Sequence, residues 1–269
     1  FKFRFQIFLV IFLIVFAFGT LGFMVIERRS LIDALYFSIV TIATVGYGDV
    51  HPVTLPGKIL TVIIIVTGVG TFLGVIANAT EMMLNKREKK ARFEKLNMII
   101  GTFFSEAGRQ LLADFSRFDL QLENIRKTLV ITKDWSEQDF IRASKILETY
   151  NYAISIQNYD LEILKSFLLK KRDFLLRLLE NPILFEHESF THLLQAVFHV
   201  TEELSYRDNP RQIPDTDRAH LAVDIKRSYA MLVQQWLQYM KYLKNNYPFL
   251  FSLALRTNPF DEKASPIVE

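Results

Sequence analysis

The chain reads as an all-α protein of two unlike parts, a membrane-embedded N-terminal third followed by an α-helical bundle. Three observations carry that reading. Residues 1–85 hold nine charged side chains, five basic and four acidic, whereas residues 86–269 hold the other 52. The first part contains two uncharged runs of more than twenty residues, and nothing comparable occurs later. In the second part apolar residues recur at steps of three and four, the period of a helix face, with no alternating strand pattern and no internal repeat. Half of the 269 residues are hydrophobic and none is Cys, which excludes a disordered chain, a disulfide framework and a thiolate metal site. A formal net charge of +3 is too small to indicate nucleic-acid binding by charge alone.

The first uncharged run, Phe5 to Ile26, is 22 residues long. As a helix it spans a hydrocarbon core of about 30 Å with little tilt. Lys2 and Arg4 before it and Ala17-Phe18-Gly19 within it loosely imitate a signal peptide, but the run is longer than the usual apolar region of one. The second run, Ile59 to Ala79, is extended forward by Leu55-Pro56-Gly57, where proline suits a first helical turn. Between them Leu31 to Ala43 is apolar but too short to cross, so it reads as a re-entrant helix. Lys86, Arg87, Lys89, Lys90, Arg92 and Lys95 follow the second run, and with Lys2 and Arg4 they place both termini on the cytoplasmic side. The cluster itself reads as a topology signal attracted to anionic headgroups.

Beyond residue 95 four stripes stand out. Leu221, Ile225, Tyr229, Leu232, Trp236, Tyr239 and Leu243 share one helix face. Phe190, Leu194, Val197 and Leu204 form a second, and Leu161, Leu164, Leu168, Leu175 and Leu178 a third. Phe140, Ala143, Leu147, Tyr150 and Ile154 form a fourth, preceded by Ser136 with Asp139 three residues on, a capping-box variant. Breaks fall at Asn181-Pro182, between Asp208 and Asp215, and at Asn258-Pro259, which leaves a bundle of five to seven helices. The expected organisation is a transmembrane domain over residues 1–84, a basic linker over 85–95 and an all-helical cytoplasmic domain over 96–269.

The chemistry concentrates in Thr44-Val45-Gly46-Tyr47-Gly48-Asp49, between the re-entrant helix and the second span. A pore replaces the water around a potassium ion by turning carbonyl oxygens toward its axis, and alternate glycines permit the backbone angles this requires. Thr44, Val45, Gly46 and Tyr47 would donate carbonyl oxygens, with Gly48 closing the segment and the Thr44 hydroxyl adding an innermost ring. One such segment cannot surround an ion, so this reading requires a fourfold homotetramer. Over about residues 5–84 the two spans, the short helix and this hexamer resemble the two-transmembrane prokaryotic potassium channels. The resemblance implies a tetrameric, potassium-selective channel in the plasma membrane that conducts K+ passively, with K+ the permeant ion and no organic cofactor. It makes Leu31 to Ala43 the pore helix, whose C-terminal dipole end would favour a cation in the central cavity. Tyr47 and Asp49 favour a selective filter over the non-selective relatives, in which the Tyr position is acidic. Several family members carry Glu where Val40 stands, which leaves the Tyr36 hydroxyl as the candidate partner of Asp49.

Gly68, Gly70 and Gly74 stand in the second span, and each costs about 1 kcal/mol against Ala in a helix interior. Gly68 falls 22 residues after Gly46, where the family carries its hinge glycine, while Gly70 and Gly74 form a small-xxx-small packing pair. Val69, Leu73 and Ala77 are expected to line the open cavity and Phe72, Ile76 and Thr80 the closed constriction. Glu81, at the inner end, either concentrates cations at the mouth or pairs with Lys86. Gly68-Val69-Gly70 is no dinucleotide turn, since Leu occupies position 73 inside a membrane helix.

The helical domain carries no glycine-rich nucleotide turn, and no Arg-patterned voltage sensor precedes the first span. A ligand-sensing or assembly module remains, with an unknown cytoplasmic ligand or ion as partner beside membrane lipids and no nucleic acid. His187, Glu188, His192 and His199 invite a metal site, but His192 and His199 lie two turns apart and isolated histidines are the better reading. No nucleophile with a base and no phosphate loop points to an enzyme. The alternatives kept open are a subunit of a potassium transport system and a membrane-anchored helical sensor or scaffold.

Overall fold

A computed structural model describes residues 2–157 and 159–267 and divides into two compact units at Ala91–Arg92. In the first, α1 (Lys2–Ile26) packs on α2 (Leu31–Ile42) and α3 (Leu55–Ile64). A π-helical turn, Ile65–Val69, joins α3 to α4 (Gly70–Phe103), which runs on past Ala91. Among the described residues α1 and the stretch that opens with α3 are the two helices long and apolar enough to cross a membrane, with α2 the short apolar helix between them.

Local chemistry sets the ends of these helices. Ser30 caps α2 by accepting from the Asp33 amide at 3.1 Å, and Thr54 caps α3 by accepting from the Gly57 amide at 3.0 Å. Phe23 of α1 stacks on Phe37 of α2 with centroids 3.9 Å apart. Beside it the buried Thr20 hydroxyl donates to Ser38 at 2.9 Å, so the one polar pair at this apolar contact is satisfied internally. Half of the large apolar side chains of α1, among them Val10, Ile14, Phe18 and Val25, are exposed on the single chain, as lipid-facing residues are.

The second unit is a helical bundle of α5 (Arg109–Phe118), α6 (Glu123–Leu129), α7 (Glu137–Thr149), α8 (Leu161–Leu179), α9 (Glu188–Ser205), α10 (Asp215–Asn246) and α11 (Pro248–Arg256), together with the end of α4 and a π turn at Phe104–Gly108. α10 is its spine, packing on α5, α7, α9 and α11, while α8 lies on α9. The stripe from Leu221 to Leu243 is buried except for the half-buried Tyr239, and those of α8 and α9 are buried throughout. The box at Ser136 forms, with Asp139 accepting from the Ser136 amide at 2.8 Å.

The fourth stripe stops short of its expected length. α7 ends at Thr149, and Tyr150 and Ile154 belong to an extended segment instead. The Tyr150 hydroxyl donates to buried Asp119 at 2.8 Å, and Ile154 bridges Asp119, the isolated bridge among the described residues. A polar anchor on another helix end has overridden the helical spacing.

Candidate functional site

The segment that follows α2 is folded back on the end of that helix. The Val40 carbonyl accepts from the amides of Val45 at 2.9 Å and Gly46 at 3.2 Å, and the Thr41 carbonyl accepts from Thr44 at 3.1 Å. From there the backbone alternates in hand. Thr44, Gly46 and Gly48 have φ of +61°, +56° and +79°, while Val45 and Tyr47 between them do not share the left-handed region. Glycine makes this inexpensive at two positions; at Thr44, a β-branched residue, it is a genuine outlier held in place by the helix end. The sequence flagged the glycines and gave no sign of the third left-handed residue.

Behind the segment the Tyr36 hydroxyl donates to Asp49 at 2.9 Å, and His51 brings Nδ1 to 3.1 Å from the Gly48 carbonyl, a neighbour not singled out by sequence. Val45 and Tyr47 are 52% and 73% exposed, so within one chain nothing covers the side chains that flank the glycines.

A second constellation that sequence reasoning missed fastens the loop leaving this segment. Glu27, just beyond α1, accepts from the Thr54 amide at 3.0 Å, the Thr54 hydroxyl at 2.7 Å and the Val53 amide at 3.2 Å. Thr54 in turn caps α3. A side chain at Gly57 would place its Cβ 1.8 Å from the Glu27 carboxylate, so the clamp requires glycine there. The Thr54 hydroxyl, and after it the two amides, hold the Glu27 carboxyl below its usual range. The sign follows: the stabilisation is present at neutral pH and is lost as pH falls through the depressed pKa. Glu27→Ala and Gly57→Ala are each expected to lower the melting midpoint of the detergent-solubilised protein. The double variant should melt no lower than the worse single one, because both remove the same clamp. Additive losses would show that the two residues act separately.

The glycines of the second span fall into distinct surroundings. A Cβ at Gly68 would approach Ile42 of α2 at 2.9 Å, and one at Gly74 would meet the Phe8 ring of α1 at 2.4 Å, whereas one at Gly70 meets nothing within 4 Å. Gly70 and Gly74 therefore do not share one packing contact within the chain. Gly68 lies inside the π turn, where the Thr71 hydroxyl donates to the Thr67 and Gly68 carbonyls at 2.8 and 3.0 Å and the Thr67 hydroxyl to Ile63 at 2.6 Å. These bonds satisfy carbonyls where the helical ladder changes period.

Leu73, Ile76, Ala77, Thr80 and Glu81 are exposed on the single chain, and Val69 is half-buried. Phe72 differs from its expected place. Its ring lies 5.8 Å from Phe12 and packs in the small cluster between α1 and α2, which turns it toward the outer helix and away from the stripe of Leu73 and Ala77.

In the second unit His187 caps α9, accepting from the Phe190 amide at 3.3 Å, and burial holds its imidazole below the ordinary pKa. His192 is exposed, and among the described residues no group of three metal-ligating side chains is arranged to hold an ion.

Comparison with known proteins divides the chain near the same place. Residues 10–85 match the family described as "Ion channel", and residues 92–256 match the one described as "Uncharacterized protein MJ1433, C-terminal helical domain". The uncharacterized protein MJ1433 of Methanocaldococcus jannaschii is 47% identical over 70% of this chain and 76% of its own length. Two-pore potassium channel 4 of Arabidopsis thaliana is 41% identical over 26% of this chain, and probable potassium channel protein 2 of M. jannaschii 38% identical over 29%. The chain spans only about a quarter of either channel, 25% and 23%. No solved structure matches. With its helical domain matched over more than half its length and an ion-channel domain before it, the chain belongs to the MJ1433 C-terminal helical domain family.

Proposed function

We propose that four copies of this chain form a potassium-selective channel, with Thr44 to Gly48 as its filter. The observation that carries the reading is the backbone of that segment. Left-handed residues at 44, 46 and 48, alternating with residues at 45 and 47 that lack a positive φ, turn successive peptide units so that their carbonyls can share one side. A ring of four such strands offers an unhydrated K+ stacked cages of oxygen, and ions pass between adjacent cages without any chemical step. Tyr36 and Asp49 brace the strand from behind, and Tyr47 and Val45, uncovered in one chain, are the side chains a tetramer would bury.

Both termini face the cytoplasm in this reading, because basic residues stand in the first turn of α1 and after the apolar part of α4. The inner helix bends at the π turn and Gly70, the position with neither a neighbour nor a packing reason for glycine. Leu73, Ile76, Ala77, Thr80 and Glu81 line the inner cavity, and the helical domain modulates the gate through α4. Gly70→Ala then stiffens the helix by about 1 kcal/mol and should reduce opening in single-channel records without lowering the melting midpoint. Gly74→Ala should lower the midpoint by forcing Phe8 aside.

Flux into liposomes tests the whole reading. The expected result is fast, non-saturating uptake that strongly favours K+ over Na+. Slow saturable uptake would replace the channel by a transport-system subunit, and silence from correctly inserted protein would leave a membrane-anchored scaffold.

A further inference from the structure

α9 and α10 bring together two histidines that are 21 positions apart in sequence. His199 of α9 and His220 of α10 each place Nε2 at 3.4 Å from the same oxygen, Oδ2 of Asp224. Asp224 is 3% exposed, and that oxygen has no hydrogen-bond partner, although its twin accepts from Arg227 at 3.1 Å. An orphaned carboxylate oxygen in a buried position is costly, and here the groups poised beside it are two imidazoles.

The surrounding charges define what is missing. Glu203 lies 3.9 Å from His199 and 3.8 Å from His220, and Arg207 joins Glu203 at 2.8 Å to Asp217 at 2.5 Å. On the neighbouring α8, Arg172 is engaged by Glu202 at 3.2 Å. The three carboxylates of Glu203, Asp217 and Asp224 thus meet the two guanidiniums of Arg207 and Arg227, while Lys165 of α8 turns its ammonium to the Arg207 and Asp208 carbonyls at 2.7 and 3.4 Å. Among the described residues no group of side chains is arranged to hold a metal ion, and the groups beside the orphaned oxygen are imidazoles, which carry a positive charge on taking a proton.

The two helices also grip the end of α4. Phe103 packs edge-on against Phe190 of α9 with centroids 5.4 Å apart, and Phe104 stacks on Tyr239 of α10 at 5.3 Å. We propose that His199 and His220 form a proton switch on Asp224: acidification charges the imidazoles, fastens α9 to α10 and changes their hold on the end of α4.

The test follows the thermal midpoint of the full chain in detergent between pH 8 and pH 5.5. The native protein should gain on the order of 3 °C on acidification. H199Q/H220Q should show no gain, and D224N, which removes the buried charge, should lose it as well. Both histidines are half-exposed, 46% and 56%, so the double variant is expected to fold, and His51, His187 and His192 remain in every variant as controls. A gain that survives in H199Q/H220Q overturns the switch, as does a gain abolished by a chelator, which would make the cation a bound metal. The link to α4 rests on the channel reading and is read separately, as a change in liposome K+ flux with internal pH that H199Q/H220Q abolishes. Flux indifferent to pH overturns the link, whereas absent flux with the melting shift intact counts against conduction alone.

Discussion

Gly46→Ala and Gly48→Ala are each expected to reduce K+ flux through the proposed tetrameric channel by at least about 100-fold while leaving the protein inserted and its oligomeric state unchanged. Neither glycine is crowded: a Cβ at either position meets nothing within 4 Å. The effect must therefore come from the backbone. At φ of +56° and +79° an L-alanine costs about 1–2 kcal/mol. In the proposed tetramer four copies raise that to about 4–8 kcal/mol per assembly, enough to drive the strand into a right-handed alternative. A carbonyl turned out of register removes one oxygen per subunit from the ion's shell, and dehydration is then no longer compensated. Liposome flux compared with tetramer yield on a sizing column separates the two outcomes. Flux within twofold of the native protein would mean that ions do not pass along this strand.

How far the site could be foreseen depends on the range of the interactions that make it. The hexamer and the two spans are local in sequence, so they were legible, as were the stripes of α8, α9 and α10 and the box at Ser136 and Asp139. Glu27 was not, because its partners lie 26 and 27 residues away and only the folded loop brings them to one carboxylate. A trace of it was readable in Thr54-Leu55-Pro56-Gly57, a cap followed by a glycine that no turn requires. The left-handed φ of Thr44 was missed because nothing in a threonine signals it; the two amides bound by Val40 impose the path around it. Phe72 was placed by spacing alone, and spacing fixes which residues share a face without saying which face meets the neighbouring helix. The histidines illustrate the same limit. Scanning along one helix found His192 and His199, whereas the pairing of α9 with α10 gives His199 its real neighbours, His220 and Asp224.

Phe103→Ala is expected to produce the largest loss of stability in the helical domain. Its ring is 0% exposed and contacts Phe104 and Phe190 with centroids 5.3 and 5.4 Å away, in the same core as Leu111, Leu112, Phe115 and Tyr229. Truncating a buried Phe to Ala costs about 3–5 kcal/mol, from lost transfer energy and from the cavity left behind. For a domain of this size that lowers the midpoint by roughly 6–20 °C. Calorimetry of the full chain would show it as a shift of the domain transition, and a midpoint within 2 °C of the native one, about the smallest shift 1 kcal/mol produces, would place Phe103 outside the core. The residue also ends α4, so the same variant asks whether the bundle acts on the gate. If the bundle works by holding that end, Phe103→Ala and deletion of residues 96–269 should change the open probability in the same direction, measured at a temperature where the domain remains folded. Its conductance and K+ preference should stay native, because the proposed filter runs from Thr44 to Gly48 with its braces at Tyr36 and Asp49, outside the helical domain. A variant that lost selectivity as well would show that the helical domain shapes the filter and not only the inner helix.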